Sequence, residues 1–304
     1  MEPFKINVLG CGSALPTLRH FPSMQVVECR GKLFMIDCGE GAQLQMRRSG
    51  LSFSKLGHIF ISHIHGDHCF GLIGMISTFG LLGRTARLHV YAPKELGPML
   101  QSQMALFCRD LEYDVEFHAV DTSCRKVVYE DRSLCVETIP LEHRMPCCGY
   151  LFREKPGLPH IRRDMIDYYG VPISQINNIK HGAGFTTPDG TVVPHERLVT
   201  PADAPRCYAY CSDTRYLPTL AQELRGIDTL YHETTYGDDN EDNARKYCHS
   251  TARQAAQVAL DAGVGKLLMG HYSSRYTDEQ VLLQQAREVF PESYLTTEMQ
   301  VFDV

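Results

Sequence analysis

Ser62-His63-Ile64-His65-Gly66-Asp67-His68 places three imidazoles and a carboxylate within six residues. These donors suit zinc and similar divalent ions. The preceding run His58–Ser62 reads as a strand, and beyond its end the chain must turn sharply to gather the donors. Gly66 is expected to permit that turn. His63 and His65 would then face one ion, while Asp67 and His68 face a second ion beside it. A lone histidine is usually a satisfied core or surface residue; four donors at this spacing form a metal-binding pattern.

Four further polar residues share a position. His143 follows Thr138-Ile139-Pro140-Leu141, Asp213 follows Cys207–Cys211, Glu233 follows Thr229–His232 and His271 follows Lys266–Gly270. Each comes at the C-terminal end of an apolar strand candidate, the rim where α/β proteins gather their sites. Singly, each is as readily a solvated strand-end residue. With the first cluster they supply donors enough for two ions. His249 precedes a helix expected from near Thr251, and Glu233 is placed to orient one of its ring nitrogens. The competing reading is that Ser250 or Thr251 caps that helix and His249 is merely solvated.

The elements that position these residues are short in the first half. Ile6–Leu9, Met24–Val27, Leu33–Ile36, His58–Ser62 and Leu88–Ala92 are apolar runs of about five residues, which suits strands. Gly41–Arg48 and Lys94–Phe107 read as helices. The second half alternates: strand Cys207–Cys211, helix Leu217–Leu224, strand Thr229–His232, helix Thr251–Ala262, strand Lys266–Met269, helix Asp278–Phe290. Early strand pairs followed by alternation indicate an α/β protein with sheets covered by helices. From about Arg153 to His195 the periodicity fades, and Gly, Pro, Asn and basic residues accumulate. Structureless stretches of that length are uncommon in compact domains and often functional, so an inserted arm competes there with a plain surface connection.

Composition sets outer limits. A chain of 304 residues with 43% hydrophobic and 22% charged residues fits a soluble globular protein with a large core. The formal charge of −6 excludes a protein that is basic all over, so nucleic acid would need a local positive patch. The opening Met1–Leu9 is too interrupted for a signal peptide, and no apolar run approaches the roughly 20 residues that cross a membrane. The 12 Cys form no Cys-x-x-Cys pair, which fits reduced thiols in a cytoplasmic protein. Cys147 and Cys148 read as small buried hydrophobes. Gly10-x-Gly12 follows a strand, yet no third glycine comes at the needed spacing and no helical pattern opens, so no nucleotide cofactor is expected. That loop is expected to border the metal site, with Asp37 hydrogen-bonded to a metal ligand.

His63-x-His65-x-Asp67-His68, then His143, Asp213 and His271 in that order, resemble the ligand set of metallo-β-lactamase-fold hydrolases. Further segments narrow the resemblance to ribonuclease Z. They are Leu9-Gly10-Cys11-Gly12-Ser13-Ala14-Leu15-Pro16-Thr17, Asp37-Cys38-Gly39-Glu40-Gly41, Leu141–Tyr150, Ser212-Asp213-Thr214-Arg215, His249-Ser250-Thr251 and His271–Tyr276. The resemblance runs over nearly the whole chain. It implies one metallo-β-lactamase αββα sandwich over residues 1–304, two mixed β-sheets flanked by helices, with a protruding arm at about 153–195.

The resemblance also implies a function: a zinc-dependent endoribonuclease that removes the 3′ trailer from precursor tRNA. The alternative within the fold is a hydrolase of a small phosphodiester or thioester. One zinc would be held by His63, His65 and His143, the other by Asp67, His68 and His271, with Asp213 bridging. That makes two Zn2+ per chain, with Mn2+ or another divalent metal as alternatives. Two ions roughly 3.5–4 Å apart lower the pKa of a shared water and stabilise charge on a phosphate under attack. Hydroxide attack would leave a 3′-hydroxyl on the tRNA. His249, oriented by Glu233, would protonate the leaving oxygen, and Asp67 is a lesser candidate for proton transfer. Ser273 and Arg275 are candidate phosphate contacts. Arg162, Arg163 and Lys180 of the arm would grip tRNA through contacts that weaken with salt. The chain departs from the family pattern in the arm: Gly170-Val171-Pro172-Ile173-Ser174-Gln175 lacks the second pair of Gly-x-Pro-x-Gly-Pro. The family forms dimers, so a homodimer is implied.

Overall fold

The structure, a computed structural model, describes residues 3–304. Backbone contacts divide it into two compact units, one running to Arg153 and resuming at Arg206–Val304, the other comprising Glu154–Pro205.

The larger unit is built on two seven-stranded mixed sheets. The first runs in the order Val301–Asp303, Phe4–Gly10, Met24–Cys29, Lys32–Ile36, Leu56–Phe60, Leu88–Pro93, Val115–Val120. Its last four strands are parallel and the rest antiparallel. The second runs Ser293–Leu295, Lys266–Gly270, Thr229–Glu233, Cys207–Cys211, Cys148–Glu154, Leu134–Pro140, Val127–Glu130. Its first four strands are parallel.

Side-chain alternation along a strand puts successive residues on opposite faces, and here both faces are apolar. Phe34, Phe60, Tyr150, Phe152, Tyr208 and Tyr231 form the core between the sheets. The outer face of the first sheet packs Leu33, Met35 and Ile59 against Met46, Met75, Ile76 and Leu100 of helices Ala42–Arg48, Leu72–Leu81 and Leu96–Phe107. The outer face of the second packs Ala209, Leu230 and Leu267 against Ala255, Ala259 and Leu282 of helices Ala252–Ala262 and Gln280–Arg287. The result is the expected αββα sandwich. Its twelve cysteines are free thiols, and no helix among the described residues is long and apolar enough to cross a membrane.

Three local expectations are corrected. Leu217–Leu224 is helical only over Leu220–Glu223, ended by Gly226 at φ 69°. Gly66 is not a left-handed turn residue; it opens the short helix Gly66–Cys69. A Cβ there would lie 2.2 Å from the exposed Phe70 ring, so glycine lets that ring lie against the backbone. The faded stretch around Arg153–His195 is folded: the unit Glu154–Pro205 holds helices Arg163–Tyr169 and Ile173–Lys180 and two small two-stranded sheets. Ile166, Val171, Ile179, Val193 and Leu198 form its own core. Gly170 ends the first helix in the left-handed conformation, and Pro172 precedes the first residue of the second, the usual division of labour between these two residues.

Candidate metal centre

Every strand that carries a predicted site residue releases it at its carboxyl end. His63 follows Leu56–Phe60, His143 follows Leu134–Pro140, Asp213 follows Cys207–Cys211, and His271 follows Lys266–Gly270, while Glu233 closes Thr229–Glu233. Three backbone positions there are left-handed without being glycine: Asp37 at φ 58°, Asp213 at 55° and His271 at 60°. Cys248, beside His249, is a fourth at 57°. Such positions cost on the order of 1–3 kcal/mol each and persist where surrounding structure enforces them. Two of them, Asp213 and His271, turn their side chains into one cavity, and Asp37 turns its carboxylate onto the His68 ring behind it.

Two groups of donors converge. His63, His65, His143 and Asp213 form one; Asp67, His68 and His271 form the other. Asp213 faces both. Its Oδ2 lies 3.5 Å from His63 Nε2 and 3.7 Å from His143 Nε2. Its Oδ1 lies 3.3 Å from His68 Nε2 and 2.9 Å from His271 Nε2. Asp67 Oδ2 completes the second group at 3.2 Å from His68 Nε2 and 3.8 Å from His271 Nε2.

The hydrogen bonds on the far side of each ring fix its tautomer. Asp37 Oδ2 accepts from the hydroxyls of Tyr210 and Ser62 at 2.8 and 3.0 Å and from His68 Nδ1 at 2.7 Å. Ser62, its proton spent on Asp37, accepts from His63 Nδ1 at 3.0 Å. His143 Nδ1 donates to the Cys248 carbonyl at 2.9 Å. The Thr235 hydroxyl donates to Glu233 Oε2 and therefore accepts from His271 Nδ1 at 2.8 Å. Four rings thus turn Nε2 inward, the nitrogen that meets an ion once it carries no proton. His63 Nε2 sits 2.9 Å from His65 Nδ1, while buried His68 Nε2 and His271 Nε2 have no hydrogen-bond partner. Lone pairs and carboxylates crowded this way repel unless a cation lies among them, so the residues fit a pair of divalent ions.

Electrostatics agree. Burial, with neighbouring His68, holds His63 well below its ordinary value, and burial lowers His65 and His143 too, which favours the neutral form a ligand needs. Burial also opposes charge on His271, but Asp213 and Asp67 overcome it and push the ring up to about 10. Asp213 is carried well below the carboxylate range by His271, His68 and His63 despite burial. A site that stabilises imidazolium this strongly presents an anionic field to any cation.

Beside the donors stands a second pair. His249 Nδ1 lies 2.8 Å from Glu233 Oε1, and Glu233 Oε1 also accepts from the Thr214 amide at 2.8 Å. Burial disfavours the charged ring, but Glu233 outweighs it and raises His249. Thr251 caps helix Ala252–Ala262 in a capping box with Gln254, but His249 is not merely solvated: it is largely buried and bonded to Glu233.

His65, Asp67, His143, Asp213, His249 and His271 border a cavity of about 490 Å³, lined also by Ser13, Ala14 and Leu15, by Tyr236 and Tyr247, and by Arg144, Ser273 and Arg275. Ser273 and Arg275 thus line the cavity that His271 borders, and Asp37 bonds a ring of the cluster as expected. Gly10 and Gly12 serve close packing, since a Cβ at Gly10 would come within 1.9 Å of the Pro22 carbonyl oxygen. Arg162, Arg163 and Lys180 belong to the Glu154–Pro205 unit. Sequence reasoning missed Ser62, Tyr210, Thr214, Thr235 and Arg144. Thr235 had one available signal, its place two residues beyond Glu233 at a strand end.

Residues 4–155 match the family model described as anti-Pycsar protein Apyc1. That half of the chain contains His63–His68 and His143 but stops short of Asp213, Glu233, His249 and His271. Full-length relatives cover all of them. The chain is 56% identical to ribonuclease Z of Bacteroides fragilis strain YCH46 over 98% of both chains. It is 47% identical to ribonuclease Z of Porphyromonas gingivalis strain W83 over the whole of both. Among solved structures, the short form of human tRNase Z superposes with a TM-score of 0.71 at 23% identity, covering 98% of each chain, and shares the fold.

Proposed function

The chain belongs to the ribonuclease Z family, and on that footing we propose that it is the endoribonuclease that removes the 3′ trailer from precursor tRNA. The observation that carries the proposal is the pair of donor groups joined through the two oxygens of Asp213, with His249–Glu233 alongside. His63, His65 and His143 would hold one ion, Asp67, His68 and His271 the other, with Asp213 between them; zinc is the metal that an imidazole and carboxylate set of this kind favours. Bound there, the ions would supply a water acidified toward neutrality and positive charge against the phosphate under attack.

The chain's own residues complete the reaction. Glu233 holds Nδ1 of His249, so the transferable proton sits on Nε2, and the ring borders the cavity. Cleavage of the phosphodiester expels an oxygen on the trailer side, and His249 Nε2 gives it that proton. Asp67, held far below the ordinary carboxylate range by His68 and His271 despite burial, is a poor base and acts as a ligand. Arg275, Arg144 and Ser273 border the same cavity and bind phosphate oxygens beside the scissile bond. The Glu154–Pro205 unit, carrying Arg162, Arg163 and Lys180, grips the tRNA body, and two chains associate as a homodimer in the cytoplasm.

The reaction class is tested with small substrates. The metal-loaded protein is expected to hydrolyse an aryl phosphodiester in preference to a thioester. Preference for the thioester would sink the nuclease reading and leave the metal centre to another hydrolase of the fold.

A further inference from the structure

Away from the catalytic donors, Cys11 Sγ lies 3.2 Å from His20 Nδ1 and 3.6 Å from Glu298 Oε1. The two Glu298 oxygens lie 3.3 and 3.1 Å from that same ring nitrogen. One nitrogen therefore faces a sulfur and both oxygens of a carboxylate, more than a single N–H can serve. The spacings, 3.1–3.6 Å, approach those along the edges of a coordination tetrahedron. With Zn–S, Zn–N and Zn–O bonds of about 2.3, 2.1 and 2.0 Å, those edges come to roughly 3.3–3.6 Å. On its other side, His20 Nε2 lies 3.3 Å from Glu279 Oε1, and Arg19 holds that oxygen at 2.9 Å. A carboxylate behind a histidine is the usual support of a metal-bound ring.

Cys11 is fully buried, and the His20 and Glu298 side chains are only 12% and 16% exposed. Burial and Glu298 push the thiol well up, while Glu298 raises His20. Protons are held in the place where a cation would serve the same anionic groups.

We propose that Cys11, His20 and Glu298 form a separate site for a borderline divalent ion, zinc foremost, with water in the fourth position. None of the three is a donor to the catalytic groups. The thiolate disfavours magnesium and manganese. Binding displaces the thiol proton, and the imidazolium proton where present, to solvent. The ion would fasten the loop leaving strand Phe4–Gly10, whose Ser13, Ala14 and Leu15 border the catalytic cavity, to the segment that follows strand Ser293–Leu295.

Cobalt substitution separates this site from the catalytic centre, whose donors include no sulfur. The full chain, stripped and reloaded with Co2+, is expected to show a thiolate-to-cobalt charge-transfer band in the near-ultraviolet. Cys11→Ser should abolish the band and lower tightly held metal by about one equivalent per chain. The near-isosteric Glu298→Gln should leave the fold intact and weaken cobalt retention at this site at least roughly 10-fold. His65→Ala, which disturbs the catalytic donors alone, should keep the band. No band in the loaded wild-type chain, a band surviving Cys11→Ser, or its loss in His65→Ala would each overturn the assignment, leaving His20 hydrogen-bonded between Glu279 and Glu298.

Discussion

At the rim of the two sheets, His63, His68, Glu233 and His271 are buried, each is held by a bond on its far side, and the backbone there is forced left-handed at Asp37, Asp213 and His271. In the Glu154–Pro205 unit the basic residues stand differently. Arg163 is 84% exposed and paired with Asp167 one turn along its own helix, and Arg162 pairs with nearby Asp164. Tyr168 and Ile173 are exposed beside them. The difference teaches where rigidity is spent. Aiming lone pairs at a common point demands burial and backbone strain, whereas the exposed charges of the smaller unit, proposed to meet tRNA, need only a small core of their own to carry them.

The largest expected effect breaks the rim alone. His65→Ala removes the one donor that offers Nδ1 and should cut cleavage of any substrate by at least roughly 1,000-fold while tRNA binding survives. Kinetics, metal content and a filter-binding titration together check this. Retained turnover would refute the ligand assignment.

Next comes loss of the other region. Arg153 pairs with Cys207 in adjacent antiparallel strands, so a two-residue Asn-Gly turn can replace residues 154–206 and close a hairpin. That deletion should spare hydrolysis of an aryl phosphodiester and lower tRNA cleavage at least roughly 100-fold, chiefly through KM. Equal loss on both substrates would mean that the unit supports the rim instead of gripping RNA.

A smaller change sharpens the chemistry. Glu233 raises His249 above its ordinary value, so the ring keeps its proton until pH climbs through the raised pKa, and activity dependent on that proton falls beyond it. Glu233→Gln removes the charge. The alkaline limb of the pH–rate profile should move to lower pH, with kcat reduced roughly 10- to 100-fold. An unmoved limb would take the proton-donor role from His249. Smallest of all, Arg163→Ala should raise KM for tRNA by a few-fold, leave kcat unchanged, and reduce the salt slope of binding by about one. Unaltered salt dependence would remove Arg163 from the grip.

How far the sequence revealed this arrangement follows from its physics. His63–His68 was legible because four donors lie in one short stretch, and His143, Asp213, Glu233 and His271 because each ends an apolar run. Sheets covered by helices followed from strand-length runs alternating with helical ones, and the αββα sandwich from the resemblance to ribonuclease Z. What stayed hidden was whatever depends on approach in space. Tyr210 bonds Asp37 from across the sheets, the Cys248 carbonyl meets His143 from a distant loop, and neither leaves a local trace. Gly66 misled because glycine suggests a turn, whereas here it makes room for the Phe70 ring. The Glu154–Pro205 unit blurred because its helices and strands, two to eight residues long, are too short to establish a period.

The central claim is tested most directly by incubating the purified, metal-loaded protein with labelled precursor tRNA carrying a 3′ trailer. The account predicts a single cut at the start of the trailer, a 3′-hydroxyl on the tRNA, loss of the cut with chelator and its return with zinc. A trailer left intact while an aryl phosphodiester is still hydrolysed would contradict the substrate, and a cut indifferent to chelator would contradict the metal centre itself.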